Sequence, residues 1–230
     1  MVIVIKIGGS LAENHESLIQ LFRKLIYLSK KMKLIIVPGG ANFADTVRYF
    51  YDKYLLSEDI AHKMAILAMD QYGLLLKDIA GEAILTYSPD DAIKDGKGLH
   101  ILLPSKIMFT LDPLENTWDV TSDSIAAYIA SYINAEKLIL VKNVDGLLAE
   151  DINKNLKTKI IKRISAEKLL KEKNRNCVDG FLPKILIDAQ LFCYIVNGKH
   201  PERIESVLNS RTDIYTEITP KPSKVLYYHA

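Results

Sequence analysis

The groups in this chain best suited to chemistry are lysines, glycine pairs and a run of short polar residues. Lys6 interrupts an apolar run, Val2-Ile3-Val4-Ile5-Lys6-Ile7, which ends in Gly8-Gly9-Ser10. An ammonium buried without a partner is costly, so Lys6 must reach the end of its strand and meet an anion. Glycine lets a backbone approach a ligand closely, and free N–H groups near a helix start favour negative charge. The plainer alternative is an ordinary strand-to-helix turn with Lys6 snorkelling to water. The arrangement recurs, however, in Leu34-Ile35-Ile36-Val37 followed by Pro38-Gly39-Gly40-Ala41. In a βαβ unit the two turns lie at the same sheet edge and face each other.

Further along, Trp118-Asp119-Val120-Thr121-Ser122-Asp123-Ser124 crowds hydrogen-bond acceptors at a helix start. One cap accounts for one of them, not for five. Lys142-Asn143-Val144-Asp145-Gly146 follows another apolar run, Leu138-Ile139-Leu140-Val141. Lys184 stands in the first turn of a helix, after Asp179-Gly180. A cation there opposes the helix dipole, a misfit of the kind found where an anionic ligand sits. Lysines, glycine N–H groups and carboxylates suit phosphoryl transfer, in which the protein positions reactants and neutralises charge. No Cys/His pair for acyl transfer is visible, and both GxGxxG and GxxxxGK[ST] are absent.

These groups need elements to carry them. Leu18, Leu21, Phe22, Leu25 and Leu28 recur at helical spacing after the first strand. Asn42 is a candidate cap for a helix carrying Phe43, Val47, Phe50 and Tyr54. Asp59 to Lys77 reads as a long helix, with Met64 and Met69 as packing and His62 as a surface residue. Short strands are predicted at Ala83 to Thr86 and Leu99 to Leu103, and buried ones at Lys137 to Val141 and Phe192 to Val196. Residues 149–164 read as a polar surface excursion, a lid or hairpin. The alternation of strands and helices predicts an α/β protein with a mostly parallel sheet covered on both faces. Its polar and glycine-rich pieces gather at the carboxyl edge.

The bulk numbers fit this. The chain has 230 residues, 49% hydrophobic and 25% charged, with a net charge of +2. That is ordinary for a globular protein and makes no case for nucleic-acid or membrane partners. Two cysteines without metal-ligand spacing argue against a zinc site or disulfide framework and fit a reducing, cytoplasmic setting.

Five motifs in order, IKIGGS, VPGGAN, DVTSDSIAA, VKNVDG and the late Lys184, resemble the amino-acid kinase family over nearly the whole chain. This is the fold of acetylglutamate, aspartate, uridylate and isopentenyl phosphate kinases. The resemblance implies an open three-layer αβα sandwich. It would form a single domain, 1–230, with an acceptor lobe to about residue 135 and an ATP lobe beyond it. It implies ATP as donor, Mg²⁺ held mainly by ATP phosphates and water, a small phosphorylated acceptor, and a homo-oligomer. Lys6 and Lys184 would hold charge on the transferring group, with Asp123 orienting both. Gly8, Gly9, Gly39 and Gly40 would donate N–H bonds to that group or to the acceptor. Ser10, Lys142, Asn143, Asp145, Gly146 and Gly180 fall to the ATP and phosphate side. Arg48, Asp70, Trp118, Asp119 and Ser122 fall to the acceptor. Two departures stand out: Ala41 where many members have a third glycine, and Asp179-Gly180 where Gly-Gly is common.

Within the family, Met64 to Gly73, Trp118 to Ser124 and Asn197 to Arg203 look like an archaeal branch that phosphorylates aminomethylfuran phosphate to the diphosphate, in methanofuran biosynthesis. Trp118 would cover the furan, and Asp45, Asp70 or Asp119 would meet the amine. Alternatives are a sister kinase acting on isopentenyl phosphate, a nucleoside monophosphate or an amino-acid carboxylate. A nucleotide-binding module without activity and a dehydrogenase are the readings from other classes.

Overall fold

The computed structural model describes residues 2–94, 96–149, 159–172 and 177–228. Strand β1 (Val2–Ile7) lies between β2 (Lys33–Pro38) and β5 (Lys137–Lys142), parallel to both. The sheet continues outward from β2 through β4 (Gly98–Leu102) to β3 (Ile84–Thr86). On the other side β5 leads to β7 (Cys193–Asn197), β8 (Thr216–Thr219), β6 (Ile161–Ser165) and β9 (Leu226–Tyr227). Among the described strand pairs, β7–β8 and β6–β9 are antiparallel and the others parallel. The chain runs from β1 to β2 in one direction and later returns to β5 on β1's other side. The end of β1 is therefore a topological switch point, where a crevice opens beyond the strands.

Side-chain alternation splits the core into two layers. Ile3, Ile5 and Ile7 of β1 pack with Ile139 and Val141 against α1 (His15–Ser29), the far half of α3 (Glu58–Ala80) and α9 (Glu202–Leu208). Val4 packs with Leu138 and Leu140 on the opposite face, against α6 (Ser122–Tyr132) and α8 (Leu182–Asp188). Lys6 is in phase with Val4, and Lys142 with Leu140. Periodicity alone thus sends both ammonium groups toward α6. The remaining helices are α2 (Ala41–Tyr54), α4 (Pro89–Lys94), α5 (Ser105–Leu111) and α7 (Ala166–Lys171).

The predicted strands and helices are present, with small shifts at their ends. Asn42 does not cap α2: the cap is Gly40, and Ala41 adopts a left-handed φ of 47°. That conformation is why a third glycine suits the position. Ser165 caps α7, its hydroxyl accepting the Lys168 N–H. Of the 149–164 excursion, residues 150–158 lie outside the described residues. Its base is a hairpin, with Leu148 bridged to Ile160.

Thr216 fastens that base. Its hydroxyl, fully buried, accepts the Leu147 N–H at 2.9 Å and donates to the Ile161 carbonyl. Thr216→Val keeps the shape but leaves the Leu147 N–H unsatisfied, and should cost about 1–3 kcal/mol in urea unfolding. An unchanged midpoint would contradict this account of the hairpin base.

Candidate active site

Asp123, in the first turn of α6, sits between two cations. Its Oδ2 accepts from Lys142 Nζ at 2.7 Å, and its Oδ1 lies 3.0 Å from Lys6 Nζ, too oblique for a full hydrogen bond. All three side chains are largely withdrawn from solvent, Lys6 and Asp123 almost completely. Burial opposes ionisation of Asp123, but Lys142 and Lys6 outweigh it and hold the carboxyl at about 2. Burial likewise opposes the Lys142 charge, yet Asp123 raises its pKa above the usual range. Lys6 goes the other way: burial pulls its pKa down, Asp123 resists, and Lys142 adds to the depression. The cluster of two cations and one anion has one positive charge in excess, concentrated where the strands end.

The sequence reading paired Asp123 with Lys6 and Lys184. The structure replaces Lys184 with Lys142. Lys184 is exposed, its ammonium 4.8 Å from the Phe181 ring centroid. The α6 start is capped from elsewhere. Asp179, in the turn before α8, accepts from the N–H and hydroxyl groups of both Thr121 and Ser124, and from the Leu182 N–H at 2.9 Å. One carboxylate therefore caps two helices and fixes Asp123 on its turn. This explains why short polar residues crowd there. In sequence, Asp179 stands out only as the residue before Gly180, where Gly-Gly is common.

The two glycine turns face each other, as expected. A Cβ on Gly9 would lie 2.4 Å from Ala41 N, and one on Gly39 would lie 2.9 Å from Gly9 N. The four glycines differ as donors. Gly8 N–H is spent on the Val141 carbonyl and Gly39 N–H on the Ile7 carbonyl, each at 2.8 Å. Gly9 and Gly40 N–H make no backbone bond among the described residues.

Two connected clefts open from this point. The polar one is lined by Gly9, Ser10, Gly40, Asp45, Arg48 and Ser122, among others. The second is more apolar, with Trp118, Met69, Ile66, Val120 and His62 in its walls. Arg48 and Ser122 line both. Arg48 stacks over Trp118 at 5.3 Å and holds Asp45 at 2.7 Å. Asp70, in contrast, turns to Ser105, accepting from its N–H and hydroxyl, and Asp119 is exposed outside both clefts. Asp145 is engaged by Asn197 and Arg203, so it braces β7 and α9. Asn143 is exposed, Gly146 buried and Gly180 half-buried. His62 is not on the surface but buried in the cleft wall. Its spacing to Ile66 and Met69 on one helical face was the signal for that.

An Amino acid kinase family model matches residues 1–187. The chain belongs to the amino acid kinase family. It is 33% identical over 218 residues to a [5-(aminomethyl)furan-3-yl]methyl phosphate kinase of Methanocaldococcus jannaschii, covering 94% of this chain and 96% of the relative. It is also 26% identical to a uridylate kinase of Methanococcus vannielii, over 90% of this chain and 96% of that one. Among solved structures, the UMP kinase of Bacillus anthracis superposes with a TM-score of 0.76 at 15% identity, covering 99% of this chain and 98% of that one. The uridylate kinase of Archaeoglobus fulgidus gives 0.75 at 18%, covering 95% and 99%. This family member is a kinase, with the mostly parallel sheet of that fold.

Because Asp123 is held near 2 rather than at its ordinary 3.8, its ionised form stabilises the folded kinase above about pH 4. That contribution is lost as pH falls toward 2. Asp123→Asn should lower stability at neutral pH, by stranding two buried ammonium groups, and flatten the acid limb of the stability curve. Equal acid sensitivity in the two proteins would show that Asp123 does not carry it.

Proposed function

We propose that this kinase transfers the γ-phosphoryl group of ATP to a small phosphate monoester, [5-(aminomethyl)furan-3-yl]methyl phosphate, forming the diphosphate. The observation that carries the reading is the buried Lys6–Asp123–Lys142 cluster, set beside two facing glycine turns, the second of which borders a cleft walled by Trp118. Full-length similarity to a kinase named for that acceptor supports the choice. Uridylate kinases match as well, which makes UMP the acceptor to test against it.

The residues present fit a polyphosphate. Lys6 and Lys142 supply fixed positive charge with no reorganisation at the moment of transfer. Asp123 keeps both in place without cancelling them. Gly9 and Gly40 N–H groups would hold the acceptor phosphate, helped by Ser10 and Arg48. An oxygen of that phosphate attacks the γ-phosphorus as its bond to the β,γ-bridging oxygen breaks, and ADP leaves. A phosphate oxygen is already a competent nucleophile, so no general base is needed. When bound, Mg²⁺ on the ATP phosphates would neutralise part of their charge. Lys184, unpaired among the described residues and at the start of α8, would reach the donor phosphates by leaving Phe181. Lys142 serves the transferring group rather than the nucleotide alone. Trp118 and Met69 would enclose the furan. Asn143, Gly146 and Gly180 stay on the nucleotide side. Exposed Phe43 and Leu67, on adjoining faces of α2 and α3, are the surface on which copies would associate.

ADP release should be measured with ATP, Mg²⁺ and, in turn, the aminomethylfuran phosphate, UMP and isopentenyl phosphate. The furan should give the highest kcat/KM, with the diphosphate seen by mass spectrometry. Faster turnover of UMP would overturn the acceptor assignment and leave the kinase chemistry standing.

A further inference from the structure

The acceptor amine needs a partner, and the carboxylates first considered do not supply it in the apolar cleft. Asp70 is committed to Ser105, Asp119 is exposed elsewhere, and Asp45 lies in the polar cleft, bound by Arg48. With the phosphate end held at the glycine turns, the opposite end of the acceptor enters the apolar cleft. The titratable side chains lining that cleft are Arg48 and His62. Arg48 is a cation at the neck, stacked on Trp118.

We propose that His62 receives the ammonium group of the acceptor through a ring nitrogen, and so sets the preference for an amine-bearing phosphate monoester. This rests on the acceptor reading given above. His62 is 7% exposed and stands in the wall of the apolar cleft. The groups around it suit a cationic guest. Asp112, ending α5, and Asp59, on its own helix, act on the ring electrostatically, and the Thr117 carbonyl faces it. Asp59 also holds Lys63 and Asn116. A ring N–H given to the Thr117 carbonyl would fix one tautomer and leave the other ring nitrogen as an acceptor. Burial lowers the pKa of His62, against Asp112, Thr117 and Asp59, which keeps the ring neutral at ordinary pH. Protonation would oppose an ammonium with a second cation, beside Arg48 on the same wall.

The test compares the aminomethylfuran phosphate with the same compound bearing methyl in place of aminomethyl. In His62→Leu, the ratio of the two kcat/KM values should fall about 10- to 100-fold, the worth of a hydrogen bond to a charged group. The change should lie in KM for the amine acceptor. His62→Gln, which retains an acceptor atom and is the milder change for folding, should keep most of the preference. In the wild type, KM for the amine acceptor should rise in acid, and His62→Gln should lose that rise. Equal losses on both acceptors, or an unchanged ratio in both variants, would overturn the assignment of His62 alone. A wild-type enzyme active on UMP but inert toward the amine acceptor would overturn the acceptor reading and this inference together.

Discussion

A single buried carboxylate, shared by two ammonium groups, is the constraint around which this molecule is built. Lys6 and Lys142 project from adjacent parallel strands into the same layer because each is in phase with its strand's α6-facing residues. Two buried cations at that spacing would repel each other and lose hydration with nothing in return. Asp123 makes the arrangement tolerable, and only because Asp179 clamps the start of α6 from a distant turn. The positive charge left over is the resource a phosphoryl-transfer site requires.

The rest of the fold serves this cluster. Placing β1 between β2 and β5 puts the switch point directly beyond Lys6. The glycine turns after β1 and β2 then come within backbone contact of each other, with no room for a Cβ on Gly9. Asp145 and Thr216 do comparable work farther along the sheet. They tie the loop after β5 to β7, α9 and the hairpin base, so Lys142 stands on a braced strand end. The clefts follow from the same layout: a polar mouth beside free N–H groups, and an apolar interior walled by α3 and the segment before α6.

Much of this was legible in the sequence, for physical reasons. Strand alternation, glycine pairs and a lysine in an apolar run report on local geometry and burial, so the α/β sheet, the facing turns and the family could be read from them. What stayed hidden depends on which side chain reaches which. Asp123 is remote from Lys6 along the chain, and spacing could not choose Lys142 over Lys184 as its second partner. Asp179 caps two helices through groups more than fifty residues apart, a role that an Asp-Gly pair does not announce. Asp70 and Asp119 were plausible ligands by type, but one was claimed by Ser105 and the other faced solvent. His62 was misread because its polarity outweighed its position on an apolar helical face.

The central claim is that the buried cations act on the transferring phosphoryl group rather than merely holding the sheet together. Single-turnover transfer by Lys6→Met, at saturating ATP and acceptor, addresses it most directly, with nucleotide affinity measured in parallel. The rate should fall about 100-fold or more, while the affinity for ATP changes by less than about 10-fold, since the lost interaction is made chiefly in the transition state. A folded variant that transfers at the wild-type rate would contradict the account.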